Sequence, residues 1–298
     1  MRDIVADLVT TRTTNPGAIA EAAARRVRPA GLLGEHGRLM MIAADHPARG
    51  SLGAGDRPMA MADRADLLDR LCLALSRPGV NGVLGTPDLI EDLLLLGALD
   101  GKVVVGSMNR GGLAGAAFEL DDRFTAYDAD TVAAMGYEGG KMLMRIDPDD
   151  PATVRTLESC GRAVSALAAR RLVAMIEPFA AGRVDGRVRN LLTPDAMISA
   201  MTVASGLGST SAYTWLKVPV VPEMARVMAA TTLPAVILGG EVGTDADAAF
   251  DSWRTALALP TVRGLVVGRS LLYPRDDDVA GAVDTAVSLF SAGGSDGT

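Results

Sequence analysis

Short apolar runs rich in β-branched, Leu or Met residues alternate with longer amphipathic runs along almost the whole chain. The short runs predict strands over residues 38–45 (RLMMIAAD), 82–85, 102–107 (KVVVGS), 141–147 (KMLMRID), 172–177 (LVAMIE), 212–218 (AYTWLKV), 235–240 (AVILGG) and 264–268 (GLVVG). Between them the pattern becomes helical over 62–75, 87–96, 128–135, 151–170, 193–205, 222–230, 246–259 and 279–291. Helix starts are marked by Thr86-Pro87, Asp150-Pro151 and Thr193-Pro194, each a capping residue followed by proline.

Eight such alternations, with strands apolar along most of their length, imply a parallel sheet buried on both faces by helices. Eight strands also close a barrel, so the expectation is one (β/α)8 TIM barrel over residues 1–298. A doubly wound open sheet is the alternative, because periodicity does not show closure. Residues 1–37 predict an N-terminal helical extension covering the barrel floor, and 292–298 a flexible tail. The longest non-helical stretches, 108–127 and 178–192, follow the third and fifth strands. In a parallel barrel those loops lie at the C-terminal mouth, where ligands bind.

Composition narrows the class. A hydrophobic content of 49% supports a large core, and the net charge of −7 disfavours nucleic acid and anionic membranes. A phosphorylated ligand would therefore need a local cationic or amide-lined site. The two cysteines, Cys72 and Cys160, lie in helical runs and read as buried thiols without a disulfide framework. Wholly apolar stretches such as 93–99 are too short to span a bilayer, and the N-terminus lacks a signal-peptide core, so the expected location is cytoplasmic.

Of 29 basic residues only three are lysines: Lys102, Lys141 and Lys217. Lys217 stands near the end of the apolar run YTWLKVPVVPE, where a buried, unpaired ammonium would be costly. Such a lysine tends to lose its proton, and a neutral amine attacks carbonyls. The alternative is a lysine that snorkels to the barrel mouth or pairs with an acid. Lys141 shares a strand face with Leu143, Arg145 and Asp147. The fourth and sixth strands contribute to common interior layers, so Lys141 could meet Lys217 and depress its pKa. Otherwise Lys141 marks the exposed bottom of its strand.

Asp45, Asp147 and Glu177 end the first, fourth and fifth strands and are candidates for proton transfer, or else loop and cap residues. The turns Gly239-Gly240-Glu241-Val242-Gly243 and Gly268-Arg269-Ser270 follow the seventh and eighth strands, where barrel backbones often bind phosphate. With only His36 and His46 available, a zinc site with about three His ligands is poorly supported, and no nucleotide-binding fingerprint appears. No metal or organic cofactor is expected.

Taken together, ADHPARGSL, GGKMLMRIDPDDP, IEP, TWLKVPVV and the GGE and GRS turns resemble the class I aldolase superfamily. That superfamily includes deoxyribose-phosphate, archaeal-type fructose-bisphosphate and tagatose-bisphosphate aldolases. The nearest flavour is tagatose-bisphosphate aldolase and its sulfofructose-phosphate relative. The resemblance runs over about residues 38–273 and implies a metal-independent lyase acting through a lysine Schiff base. It maps the nucleophile to Lys217, the second active-site lysine to Lys141, and the acids to Asp45 and Glu177. His46 stands where tagatose-type enzymes usually have Gln. His46, Arg145, Gly239, Gly240, Gly268 and Arg269 become substrate or phosphate contacts, and Arg183 a further candidate for an acidic group.

The implied substrate is a sugar phosphate, either tagatose or fructose bisphosphate or 6-phospho-5-dehydro-2-deoxygluconate of inositol catabolism. The implied products are dihydroxyacetone phosphate and an aldehyde. A transaldolase- or dehydratase-type imine enzyme and a catalytically idle sugar-phosphate-binding barrel are the rivals. Such barrels frequently associate through helices, so a homo-oligomer is expected.

Overall fold

The structure, a computed structural model, describes residues 4–34, 36–240 and 246–291. The predicted tail at 292–298 and three residues of the first glycine turn, Glu241, Val242 and Gly243, lie outside the described residues. The strands are β1 Leu39–Ala43, β2 Gly82–Gly85, β3 Val103–Ser107, β4 Gly139–Ile146, β5 Val173–Val184, β6 Arg187–Asn190, β7 Thr214–Pro219, β8 Ala235–Leu238 and β9 Val262–Val267. The helices are α1 Ile4–Thr14, α2 Ala18–Arg25, α3 Arg64–Ser76, α4 Pro87–Leu95, α5 Ala129–Ala134, α6 Ala152–Ala169, α7 Pro194–Ser205, α8 Met224–Met228, α9 Ala246–Leu257, α10 Arg269–Leu272 and α11 Val279–Ser288.

Eight strands pair in parallel in the order β1-β2-β3-β4-β5-β7-β8-β9, and β9 pairs back to β1. The barrel is closed, as the alternation of elements predicts, and the open-sheet alternative falls. Both strand faces are buried, which explains the continuous apolar runs. Leu39, Met41 and Ala43 point inward with Val103, Val105, Val173, Met175, Val236 and Val266, forming the filling of the barrel. Met40, Ile42, Val104, Ala174 and Ile176 face outward and pack with the helices in a second, larger core. Burying such side chains contributes about 25 cal/mol per Å² of apolar surface removed from water.

The N-terminal extension forms two helices. Its following segment closes the bottom of the barrel: Arg26 donates to the carbonyls of Lys102 and Gly136 and pairs with Glu138, just ahead of β3 and β4. Leu32 packs against the barrel filling. Lys102 sits at the same end, with its Nζ donating to Val80 O at 2.6 Å. Among the described residues no helix is long and apolar enough to cross a membrane.

One expectation needs correction. Residues 178–192 are not an irregular loop, because β5 continues to Val184 and turns back as the antiparallel β6. Asp185 and Gly186 at the turn have φ of +51° and +74°, the left-handed geometry that a two-residue Asp-Gly hairpin requires. The hairpin rises above the barrel mouth.

Candidate active site

Above the apolar filling, the next inward positions of the strands are polar. The pleat that turns Val105, Met175 and Trp215 inward also turns Ser107, Glu177 and Lys217 inward, and Lys141 joins them from β4. Each of these four side chains is buried.

Glu177 lies between the two lysines. Lys217 Nζ donates to its Oε1 at 2.6 Å, and Lys141 Nζ contacts its Oε2. Lys141 also donates to Asp45 Oδ2 at 3.2 Å. That oxygen accepts from Ser107 Oγ at 3.1 Å and from Arg110 Nη2, while Arg110 Nε donates to Ser107 Oγ at 2.8 Å. Three cationic side chains and two carboxylates thus share one network with every acid doubly paired, as burial of charge demands.

The electrostatics follow from this packing. Burial disfavours the charged form of Lys141, and although Asp45 and Glu177 oppose that effect, its pKa falls from 10.5 to about 8. Arg110 and Lys217 push it the same way. Burial would raise both acids, but Lys141 and Lys217 hold Glu177 well below the usual carboxylate range, and Arg110 and Lys141 do the same for Asp45. Burial, reinforced by Arg269 and Lys217, pushes His46 down to about 3 despite Asp45. His46 Nδ1 stands 3.9 Å from Asp45 Oδ1, but an imidazole neutral at ordinary pH makes this a dipolar contact, not an ion pair. The same Nδ1 is buried and without a hydrogen-bond partner.

Ten of the sequence-predicted site residues (Asp45, His46, Lys141, Arg145, Glu177, Lys217, Gly239, Gly240, Gly268 and Arg269) line one cavity of about 560 Å³. Its two glycine turns are tight by necessity. A Cβ on Gly268 would lie 2.3 Å from Ala43 O and 3.2 Å from His46 Cε1, and one on Gly239 would lie 2.5 Å from Val267 Cγ1. A side chain at either position would displace the strand end behind it.

Two sequence-predicted groups take other positions. Asp147 belongs to the turn before α6: its Oδ1 accepts from Asp149 N at 3.1 Å, and its backbone exchanges hydrogen bonds with Thr153. Arg183 binds Asp150 at 2.9 Å and Ala117 O at 3.2 Å, tying the hairpin to the loop after β3. Arg145 reaches the cavity wall, but its terminal nitrogens are engaged by Glu119, at 2.5 Å to Oε1 and 2.6 Å to O.

Among the described residues no group of three or more His, Cys, Asp and Glu side chains is placed to hold a metal ion. A polar cavity with two lysines bridged by an acid at its floor favours carbonyl chemistry at an amine.

A family model described as Cgl0159-like matches residues 37–287. The chain belongs to the Cgl0159-like family. Cgl0159 from Corynebacterium glutamicum, known as a crystal structure, is 52% identical over 98% of each chain, with a TM-score of 0.95. A Schiff-base-forming fructose-1,6-bisphosphate aldolase has 17% identity and a TM-score of 0.64, over 91% of this chain and 99% of its own. An archaeal fructose-1,6-bisphosphate aldolase, with its catalytic Lys covalently bound to the carbinolamine intermediate, has 16% identity and a TM-score of 0.65 over the same shares. These two likenesses concern the fold. No protein among the curated sequences matches the chain.

This Cgl0159-like chain also carries cavity residues that strand patterning does not flag. Arg110, Arg49 and Glu119 reach the cavity from loops, and Val188, Arg189 and Asn190 from the hairpin. Asn109 extends the β3–β4 pairing by side chain: its Oδ1 accepts from Leu143 N at 2.8 Å and its Nδ2 donates to Leu143 O at 2.5 Å. The available signal was Asp185-Gly186, a strong hairpin marker. For Arg110 and Arg49 the sequence carries no local signal, because both act through residues far along the chain.

Proposed function

We propose that this protein is a class I, lysine-dependent aldolase. It cleaves a phosphorylated ketose or keto sugar acid to dihydroxyacetone phosphate and an aldehyde. The observation that carries this reading is the buried Lys141–Glu177–Lys217 bridge at the floor of a polar cavity.

The network holds one cation more than it has carboxylates, so release of a proton from it approaches neutrality. Lys217 gives that proton up to solvent, while Glu177, 2.6 Å from its Nζ, keeps the amine oriented. The neutral amine of Lys217 adds to the substrate ketone to give a carbinolamine, which loses water to become an iminium. Glu177 or Asp45 removes the proton of the hydroxyl carried by the far carbon of the scissile bond. The bond's electrons enter the iminium, leaving an enamine and a free aldehyde. Protonation of the enamine carbon and hydrolysis return Lys217 and release dihydroxyacetone phosphate. Glu177 and Asp45 are the proton-transfer groups, and Lys141 holds the substrate oxygen or tunes Lys217. Gly239, Gly240, Gly268 and Arg269 hold the phosphate, with exposed amides and one guanidinium.

Candidate substrates are tagatose or fructose bisphosphate and 6-phospho-5-dehydro-2-deoxygluconate. Borohydride trapping with dihydroxyacetone phosphate, followed by peptide mapping, tests the mechanism. A stable adduct on Lys217, lost in Lys217→Ala, is the expected result. Calorimetric binding of the ligand without an adduct on any of the three lysines would overturn it.

A further inference from the structure

Proton loss at the floor of the cavity needs a driving charge, and the floor holds a fixed one. Five charged side chains meet there, Arg110, Lys141 and Lys217 against Asp45 and Glu177. With every group ionised the network carries one unmatched positive charge in a buried setting, which is costly. Lys141 and Lys217 can relieve it by shedding a proton, whereas a guanidinium cannot. The lysine pair must therefore adjust to Arg110.

Arg110 is held from several directions. β3 stops at Ser107, but Asn109 extends its pairing onto Leu143 of β4 through its side chain. The next backbone amide, Arg110 N, donates to Thr125 Oγ1 at 3.3 Å. The Arg110 side chain is buried. Its Nε donates to Ser107 Oγ at 2.8 Å and its Nη2 to Asp45 Oδ2. Lys141 Nζ reaches that same oxygen at 3.2 Å. Arg110 thus shares the carboxylate that neutralises Lys141 and sets a second cation beside it.

No neighbouring group cancels the extra charge. His46, beside Asp45 and pushed down to about 3, is neutral at ordinary pH, with Arg269 acting on it from the glycine turns. In the adjoining loops Arg49 and Arg145 face Glu119 and Asp122. Glu119 lies 3.0 Å from Arg49 and 2.5 Å from Arg145, and Asp122 lies 3.9 Å from Arg145. Those four are matched two against two, and burial raises the Asp122 carboxyl, so this cluster has no negative charge to spare.

We propose that Arg110 is a positioning residue for imine formation: it supplies the unmatched charge that drives a proton off the Lys141–Lys217 pair. The fall of Lys141 to about 8 agrees, because Arg110 acts on it in that direction. Imine formation rests on the aldolase reading above, but the effect of Arg110 on the lysines does not depend on it.

The chain has only three lysines, so lysine labelled with carbon-13 at Cε gives three NMR signals whose pH dependence reports each ammonium directly. Lys102, bound to Val80 O at the opposite end of the barrel, is the internal reference and should not move. Arg110→Gln should shift the titration of the Lys141–Lys217 pair up by about one to two pH units, the effect of one charge a few ångströms away at an effective dielectric of about 20. Adding Asp45→Asn leaves the two lysines against Glu177 alone, so the excess returns and the titration should come back down. A merely structural disturbance is not reversed by a second deletion. Asp45→Asn by itself leaves three cations against one acid and should lower the titration below that of the wild type, a check that stands even where Arg110→Gln does not fold. An unmoved titration in Arg110→Gln, an upward shift retained in the double variant, or no fall in Asp45→Asn overturns the proposal.

Borohydride trapping with dihydroxyacetone phosphate at neutral pH should slow by about tenfold in Arg110→Gln and recover as the pH is raised by about one to two units. A loss that persists at high pH overturns the role in imine formation. No adduct on wild-type Lys217 removes the aldolase reading instead, and the NMR titration still decides the effect of Arg110.

Discussion

The floor of the cavity and its rim both consist of arginines or lysines bridged by a buried acid, yet they are built from different parts of the chain. At the floor, Lys141, Glu177 and Lys217 come from neighbouring strands β4, β5 and β7, whose backbones are locked by parallel pairing. At the rim, Glu119 comes from the long loop after β3 and meets Arg49 and Arg145, while Arg189 comes from the hairpin. The difference is one of rigidity: the floor groups are held in register by strand pairing, whereas Glu119 and Arg49 sit on connections, which vary more readily.

Three substitutions would break or sharpen that contrast. The largest effect is expected for Glu177→Gln at the floor. Removing the charge shared by two lysines should lower kcat/KM by about 100- to 10,000-fold, the range for loss of a general acid–base group. It should also destabilise the fold by about 3–5 kcal/mol, because two buried ammonium groups lose a counter-ion. Steady-state kinetics and urea unfolding measure both. Unchanged trapping of Lys217 in this variant would show that Glu177 is structural only.

An intermediate effect concerns pH. With Lys141 titrating at about 8, kcat/KM should fall as pH rises through that value, and Lys141→Arg, which keeps its charge, should remove the falling limb. A limb that survives in the arginine variant belongs to another group. The stability effect of Lys141 has the opposite sign. Its folded pKa lies below the ordinary 10.5, so the unfolded chain holds the extra proton between about 8 and 10.5 and this group's contribution rises with pH there. Asp45 and Glu177, both depressed, contribute stability above their ordinary values of 3.8 and 4.5 that is lost as acid protonates the folded state.

The smallest effect on imine chemistry is expected for Glu119→Gln. It releases Arg49 and Arg145 and should cost stability. The rate of trapping with dihydroxyacetone phosphate, which needs only the floor and the phosphate turns, should change less than about threefold. A loss comparable to that of Glu177→Gln would make floor and rim one unit.

Much of this architecture is legible along the chain because the barrel repeats one local pattern. The predicted runs at 38–45, 102–107, 141–147 and 212–218 overlap β1, β3, β4 and β7, and the run at 82–85 matches β2. Lys217 stood out because it interrupts an apolar strand, and Glu177 because it ends one. The hairpin within 178–192 is faint in the sequence because its tip and β6 are exposed and rich in Arg, which blurs the alternation despite the Asp185-Gly186 turn. Asp147 reads as a strand-end acid by position alone, and only its contacts with Asp149 and Thr153 show a turn residue.

The sequence by itself determined the eight-fold alternation, the shared strand face of Lys141, Leu143 and Arg145 and the glycine turns, because these depend on periods of two and 3.6 residues and on local backbone freedom. Tertiary structure decided which charges meet. Closure of the barrel placed Glu177 between two lysines 36 positions before it and 40 after it, as the register of β4, β5 and β7 dictates. It also brought Arg110 onto Asp45, 65 residues away, and Arg145 onto Glu119. Such pairings follow from long-range packing in a low-dielectric interior, where a buried charge must find a partner wherever the fold provides one.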